Sequence, residues 1–112
     1  MAISPCTAAL ASIIKRDMSG TLQLDDRSFN LIAKALSDPN RISILQKIGS
    51  AKDPLPCSEM RACMSISAPT LSHHVKELEN AGLIRTERVG KFVHMEMRRD
   101  VWAGYLRRLA EI

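Results

Sequence analysis

A mainly α-helical fold with one small β-hairpin, of the α+β class, follows from three features of the 112 residues. Apolar side chains recur at helical spacing in five stretches from Asp26 onward. The joints between those stretches carry the capping residues, prolines and glycines that start and stop helices. Between the fourth and fifth stretches, two β-prone runs flank Val89-Gly90, the mark of a hairpin. The length suits a single domain of the usual ~100–200 residues. A chain of this size buries roughly two-thirds of its unfolded surface, enough for a core without disulfides.

Residues 1–24 read as a short helix or an arm: Ala8, Leu10, Ile13 and Ile14 share one helical face, but Ser19-Gly20 ends it early. The domain proper is expected over residues 25–112. Phe29, Ile32, Ala33 and Leu36 form the inner face of its first helix. Asp38 then supplies a cap with Pro39 in the first turn, and Ile42, Leu45 and Ile48 make the stripe of a second helix that stops at Gly49. Residues 50–56 contain two prolines and read as a connection. Met60, Cys63 and Met64 give a short third helix of about two turns. Ser65-Ile66-Ser67 interrupts the chain, Ser67 caps, and residues 68–81 carry Leu71, Val75 and Leu78 up to Gly82 in the left-handed position. Residues 83–88 and 91–97 form the hairpin, and a last helix from near Asp100 presents Trp102, Tyr105, Leu106 and Leu109. Helix, helix, short helix, tight turn, longer helix, hairpin, helix is the order of a winged helix-turn-helix.

Charge and composition narrow the partner. The net charge is +4 and the pI near 9.3, on an ordinary globular composition. Phe29, Phe92, Trp102 and Tyr105 are the only aromatics, too few for the stacking platforms of single-strand binders, so a duplex fits better. No apolar run reaches about 18 residues, and the stretch from Ala8 to Ile14 lacks a basic flank, so neither a membrane span nor a signal peptide is expected. Three cysteines, Cys6, Cys57 and Cys63, in a chain that needs no bridges suit a reducing compartment, and the cytoplasm is the expected location.

The fourth helix is the expected reader of the duplex. At 100° per residue, Leu71, Val75 and Leu78 fall within a narrow buried stripe, while Ser72, His73 and Lys76 fall on the opposite side. Ala68 and Thr70 flank the helix start, where a methyl can touch thymine and a hydroxyl can bond a phosphate or base. The plainer reading is a solvated polar face on a core helix. Residues 85–108 favour the first, because Arg85, Arg88, Lys91, Arg98, Arg99, Arg107 and Arg108 outnumber Glu87, Glu96 and Asp100 by four, the whole net charge. A tip bearing Arg88, Gly90 and Lys91 can come close to a phosphate backbone and displace counterions.

The run ALSDPNRISILQKI and the later SAPTLSHHVKELENAGLI, with the R-x-G-K tip at Arg88 to Lys91, resemble the ArsR/SmtB family of winged-helix repressors over roughly residues 26–109. The resemblance implies a homodimer that represses an operon and leaves its operator when an inducer, often a metal or metalloid, binds. It makes Ser67, Ala68, Thr70, Ser72, His73 and Lys76, with Arg85, Arg88 and Lys91, the DNA-binding set, Ser72 and His73 facing bases. Ala68 stands where members commonly carry Gln, which removes one amide contact to adenine. Dimerisation has its own warrant: Trp102, Tyr105, Leu106, Leu109 and Ile112 line the last helix with no obvious partner in so short a chain. Packing back on the first helix is the alternative. A two-fold pair joined through N- and C-terminal helices places two reader helices ~34 Å apart on an inverted repeat.

For the inducing signal, the resemblance implies a zinc-type site of His and acidic ligands on the terminal helices, but no histidine follows His94, so that site is not expected. The resemblance implies closely spaced cysteines at the start of the short helix for a metalloid, and Cys57 stands there alone. Cys57 and Cys63 are six residues apart, ~9 Å along a helix and beyond the ~7 Å reach of a disulfide. Cys63 reads as core beside Met60 and Met64, whereas Cys57 reads either as a redox candidate whose pKa a helix N-terminus lowers or as a neutral cysteine of the first turn. Cys6 on the arm is its candidate partner, for a disulfide or for a thiolate-held metal or metalloid, and no other cofactor is called for. An enzyme is not expected, since Ser72, His73 and His74 on one helix do not face each other. The remaining rivals are a winged helix used as a protein adaptor and a family member with no thiol chemistry, controlled by a small organic ligand or by expression level.

Overall fold

The computed structural model describes residues 15–16 and 22–112; Cys6 and the Ala8 to Ile14 stretch lie outside the described residues. Within the segment read as arm, strand β1 (Lys15–Arg16) pairs antiparallel with β2 (Leu22–Gln23). Leu22 and Leu24 are both buried, so the core reaches past the expected boundary at residue 25. Two leucines either side of one exposed Gln23 follow strand alternation, a pattern too short to read in the sequence.

Helix α1 (Asp26–Ala35) starts where the Asp25 carboxylate accepts the Ser28 amide at 2.7 Å. That hydrogen bond holds the Asp25 carboxyl below its usual range. Helix α2 (Pro39–Ser50) is capped by Asp38, which accepts from the Asn40 amide at 2.8 Å, with proline first in the helix. Its buried residues are Ile44, Leu45 and Ile48, while Ile42 is 48% exposed, which corrects the expected stripe. A strict three-residue spacing drifts roughly 60° per step, and Ile42 ends up on the wrong side.

Residues read as connection include a strand, β3 (Leu55–Pro56), followed by α3 (Cys57–Cys63) and α4 (Ala68–Asn80). The wing is β4 (Ile84–Val89) and β5 (Phe92–Met97), and β3 adds to β5 in a three-stranded antiparallel sheet of order β3-β5-β4. Pro56 sits at the end of this edge strand, where its missing amide costs little. The final helix is α5 (Arg99–Ala110).

Two glycines have positive φ. Gly82 (φ 84°) closes α4 as a Schellman turn, with its amide donating to Glu79 O at 3.0 Å and the Leu83 amide to Leu78 O at 3.1 Å. Gly90 (φ 62°) opens the two-residue turn between the paired Val89 and Phe92. The core is shared out evenly: Ile32 from α1, Ile44 from α2, Met60 from α3, Leu78 from α4, Met95 from β5 and Val101 from α5 are all fully buried. Thus α3 and α4, joined by a turn at residues 64–67, are backed by every other element of a winged helix-turn-helix.

Candidate nucleic-acid interface

Helix α4 begins at Ser67, whose Oγ accepts from the Thr70 amide at 3.3 Å and donates to Thr70 Oγ1 at 2.8 Å. Leu71, His74, Val75 and Leu78 are buried, and Ser67, Thr70, Ser72, His73 and Lys76 are exposed, with Ala68 half-buried. The expected reading face is therefore gathered on the outside of one helix.

That face is held from behind by Arg41, a residue to which the local sequence assigns no role in the site. Arg41 Nε donates to Ala35 O at 2.6 Å and its Nη2 to Lys34 O at 3.4 Å, so the last carbonyls of α1 are satisfied. Its Nη1 lies 3.3 Å from His74 Nδ1, inside α4. A guanidinium has only donors, so Nδ1 accepts and the His74 proton sits on Nε2. One side chain thus ties α1, α2 and the reader helix together. A signal was available: a cation in the first turn of α2 opposes the helix dipole and needs another reason to be there.

The wing is tied to the same helix. Glu79 Oε2 accepts from the Thr86 amide at 3.2 Å and from Thr86 Oγ1 at 2.5 Å, joining the end of α4 to β4. At the tip Arg88 and Lys91 are exposed. The remaining basic residues of this region are engaged inside the molecule. Arg85 does not join the tip: its guanidinium sits 3.4 Å from Glu87 and 3.7 Å from Glu96. Arg98 is buried beside Asp100, Arg99 donates to Gly49 O at 2.6 Å, and Arg107 pairs with Glu111 at 3.7 Å. Arg108 bonds Asp26 and Leu24 O and lies 4.5 Å over the Phe29 ring. The charge surplus counted along the sequence therefore contracts to two cations with no partner among the described residues.

The last helix divides in two. Tyr105, expected at a subunit interface, is buried in this chain between Phe29 (5.2 Å between ring centroids) and Trp102 (6.0 Å), because its ring closes the α1–α5 contact. Trp102 is half-buried, and Leu106, Leu109 and Ile112 are exposed.

The thiols reverse the expected order. Cys57 is half-buried with its Sγ donating to Met95 Sδ at 3.6 Å, and burial pushes its thiol pKa up rather than down. Cys63 is exposed, not core, because α3 ends there and its last turn overhangs the packed face. It opens on a groove of about 510 Å³ lined also by Lys47, Leu55, Glu59 and Met60. Among the described residues no group of three or more His, Cys, Asp or Glu is placed to hold a metal ion. Nor is any described helix long and apolar enough to cross a membrane.

Residues 36–87 match a helix-turn-helix domain family. The chain is 34% identical over 91 residues to the arsenical resistance operon repressor of Staphylococcus xylosus, spanning 77% of this chain and 80% of that protein. It is similar to the crystal structure of an ArsR family transcriptional regulator, with a TM-score of 0.68 and 27% identity over 75% of this chain and 90% of that one. It shares the fold of the homodimeric winged helix-turn-helix DNA-binding domain of a possible ArsR-family regulator from Mycobacterium bovis, with a TM-score of 0.62 and 18% identity over 99% of this chain and 90% of that one. Sequence, fold and the outward polar face of α4 agree: the chain belongs to the ArsR family of winged helix-turn-helix transcriptional repressors.

Proposed function

We propose that two copies of this chain lay their α4 helices into successive major grooves of an inverted-repeat operator. Ser72 and His73 face the bases, Ser67, Ala68 and Thr70 meet the duplex at the helix start, and Lys76, Arg88 and Lys91 neutralise phosphates. The observation that carries this reading is the division of α4, with four residues sunk in the core and its hydroxyl, imidazole and amine groups all outside. Support for the pair comes from Leu106, Leu109 and Ile112, which leave an apolar row exposed on α5, and from the homodimeric domain of similar fold.

Repression ends when an inducer weakens operator binding. A coupling of about 1–3 kcal/mol is enough for a 5- to 150-fold loss. If the inducer is an oxidant or electrophile, Cys63 is the described thiol it meets first, since Cys57 is held protonated against Met95. The metal alternative, with Cys6 and Cys57 as ligands, needs Cys57 as thiolate, which its burial opposes.

The test is binding to a duplex selected from a random pool, measured across salt concentrations. Lys76→Ala and Arg88→Ala should each weaken binding and make the slope of log affinity against log salt shallower by ~0.9 for every phosphate left without its cation. Unchanged affinity and slope in both would point to a protein adaptor instead.

A further inference from the structure

We propose that the wing tip carries an apolar wedge, Phe92 backed by Val89, that enters the minor groove beside the helix-filled major groove and bends the duplex by prying open a base step. The proposal rests on the duplex-binding reading above and adds a deformation to it.

Strand alternation supplies the first argument. Side chains of one strand point alternately to the two faces of a sheet. Met95 is fully buried, so its face is the core side of the wing, and Phe92, His94 and Glu96 belong to the other side. Their cross-strand partners are Val89, Glu87 and Arg85. The outer face of the wing thus has an ion cluster at its base, where Arg85 meets Glu87 and Glu96, and an apolar pair at its tip. No core lies beneath that pair: Phe92 is 54% exposed and Val89 48%. A cross-strand pair steadies a hairpin. Two threonines would do so without showing an aromatic ring to water.

The surroundings choose the partner. Arg88 and Lys91 each immediately precede one member of the apolar pair, both exposed and without a partner among the described residues, which suits a polyanion and disfavours an apolar protein face. The turn is only two residues long with Gly90 leading, so the hairpin ends in a narrow tip whose side chains, rather than its full two-strand width, would enter the groove. Glu79 holds Thr86, so the base of the wing follows α4 and the tip is carried to a set distance from the reader helix. Apolar side chains set between base steps from the minor groove unstack them and kink the duplex, and flanking cations offset the cost by neutralising the phosphates drawn together.

The experiment uses the full chain and the duplex selected from a random pool, with a dye pair at its ends for energy transfer and 2-aminopurine at the steps flanking the protected region. Wild type should raise both the energy transfer and the 2-aminopurine emission. Phe92→Thr replaces one strand-favoured residue by another and should bind about three- to tenfold more weakly, with both signals abolished and the salt slope unchanged, since an unmade kink forfeits apolar burial but no charge. Phe92→Trp should restore both signals. Binding by wild type without bending, or bending by Phe92→Thr equal to wild type, overturns the wedge while leaving the duplex-binding reading intact. Failure of wild type to select any duplex removes both. A changed sedimentation coefficient of free Phe92→Thr would assign the tip to a protein contact and also overturn the proposal.

Discussion

Helices α4 and α5 are alike on the inside and opposite on the outside. They have thirteen and twelve residues, and each sinks one face into the same core. Outside, α4 shows Ser72, His73 and Lys76, whereas α5 shows Leu106 and Leu109 with Ile112 just beyond its end. Hydroxyl, imidazole and amine groups rest in water at no cost and complement a polar, charged groove. A row of exposed leucines instead favours cover by another apolar surface. The buried faces explain why both helices form, and the outer faces explain why they suit different partners.

The largest expected effect comes from loosening α4 from behind. Arg41→Ala removes hydrogen bonds to Lys34 O, Ala35 O and His74 together, and should cost about 2–3 kcal/mol in urea unfolding because those groups lose a charged donor. It should weaken duplex binding although Arg41 is not on the reading face. The matching change on α5 is Gly104→Ala. A Cβ there would lie 2.8 Å from the Leu22 carbonyl oxygen, a backbone atom that cannot swing aside. Overpacking of about 1–3 kcal/mol should exceed the ~1 kcal/mol that alanine gains in helix propensity, so the midpoint should fall.

The outer face of α5 should behave differently. Replacing Leu106 and Leu109 by Gln should leave the circular dichroism spectrum intact and convert a sedimenting pair to single chains, with each change worth no more than about 0.5 kcal/mol to the fold of one chain. An unchanged sedimentation coefficient would place the subunit contact elsewhere.

The smallest effects concern pH and the thiols. Because burial raises the Cys57 pKa above its ordinary 9.0, the folded chain holds that proton longer than the unfolded chain. The associated stability is present below that value and is lost as pH rises through the folded pKa. Cys57→Ser should flatten this alkaline decline. Asp25 acts at the other end: its carboxyl is depressed by Ser28, so its contribution is present above the ordinary 3.8 and fades as pH falls through the folded value. At pH 8, iodoacetamide should modify Cys63 before Cys57, read by mass spectrometry of peptides; the reverse order would reinstate Cys57 as the accessible thiol.

Much of the architecture was legible in local signals. Asp38-Pro39, Ser67 and Gly82 set helix ends through hydrogen bonds to residues within a few positions, so a single stretch of chain contains the whole cause. The hairpin at Val89-Gly90 and the polar side of α4 were readable for the same reason. Apart from Ile42 and the short Leu22–Leu24 strand pattern, the missed features depend on residues far apart. Pairing of Leu55–Pro56 with β5 spans some forty positions, and Arg41 reaches His74 across 33. Cys63 lies outside because the packed layer ends before α3 does, and Tyr105 lies inside because Phe29 meets it.

The same division runs through the charges. Seven basic residues between 85 and 108 are a property of composition, and so are the sign of the net charge and the kind of partner it favours. Which of them remain available is a matter of folding: a guanidinium that finds a carboxylate or a carbonyl within about 3–4 Å is no longer offered to a phosphate. Helix order, caps and the polar pattern of α4 were written into neighbouring residues. The bracing of that helix, the bare tip of the wing and the burial of Tyr105 arose only when distant segments came together, because each needs an atom that the local chain does not contain.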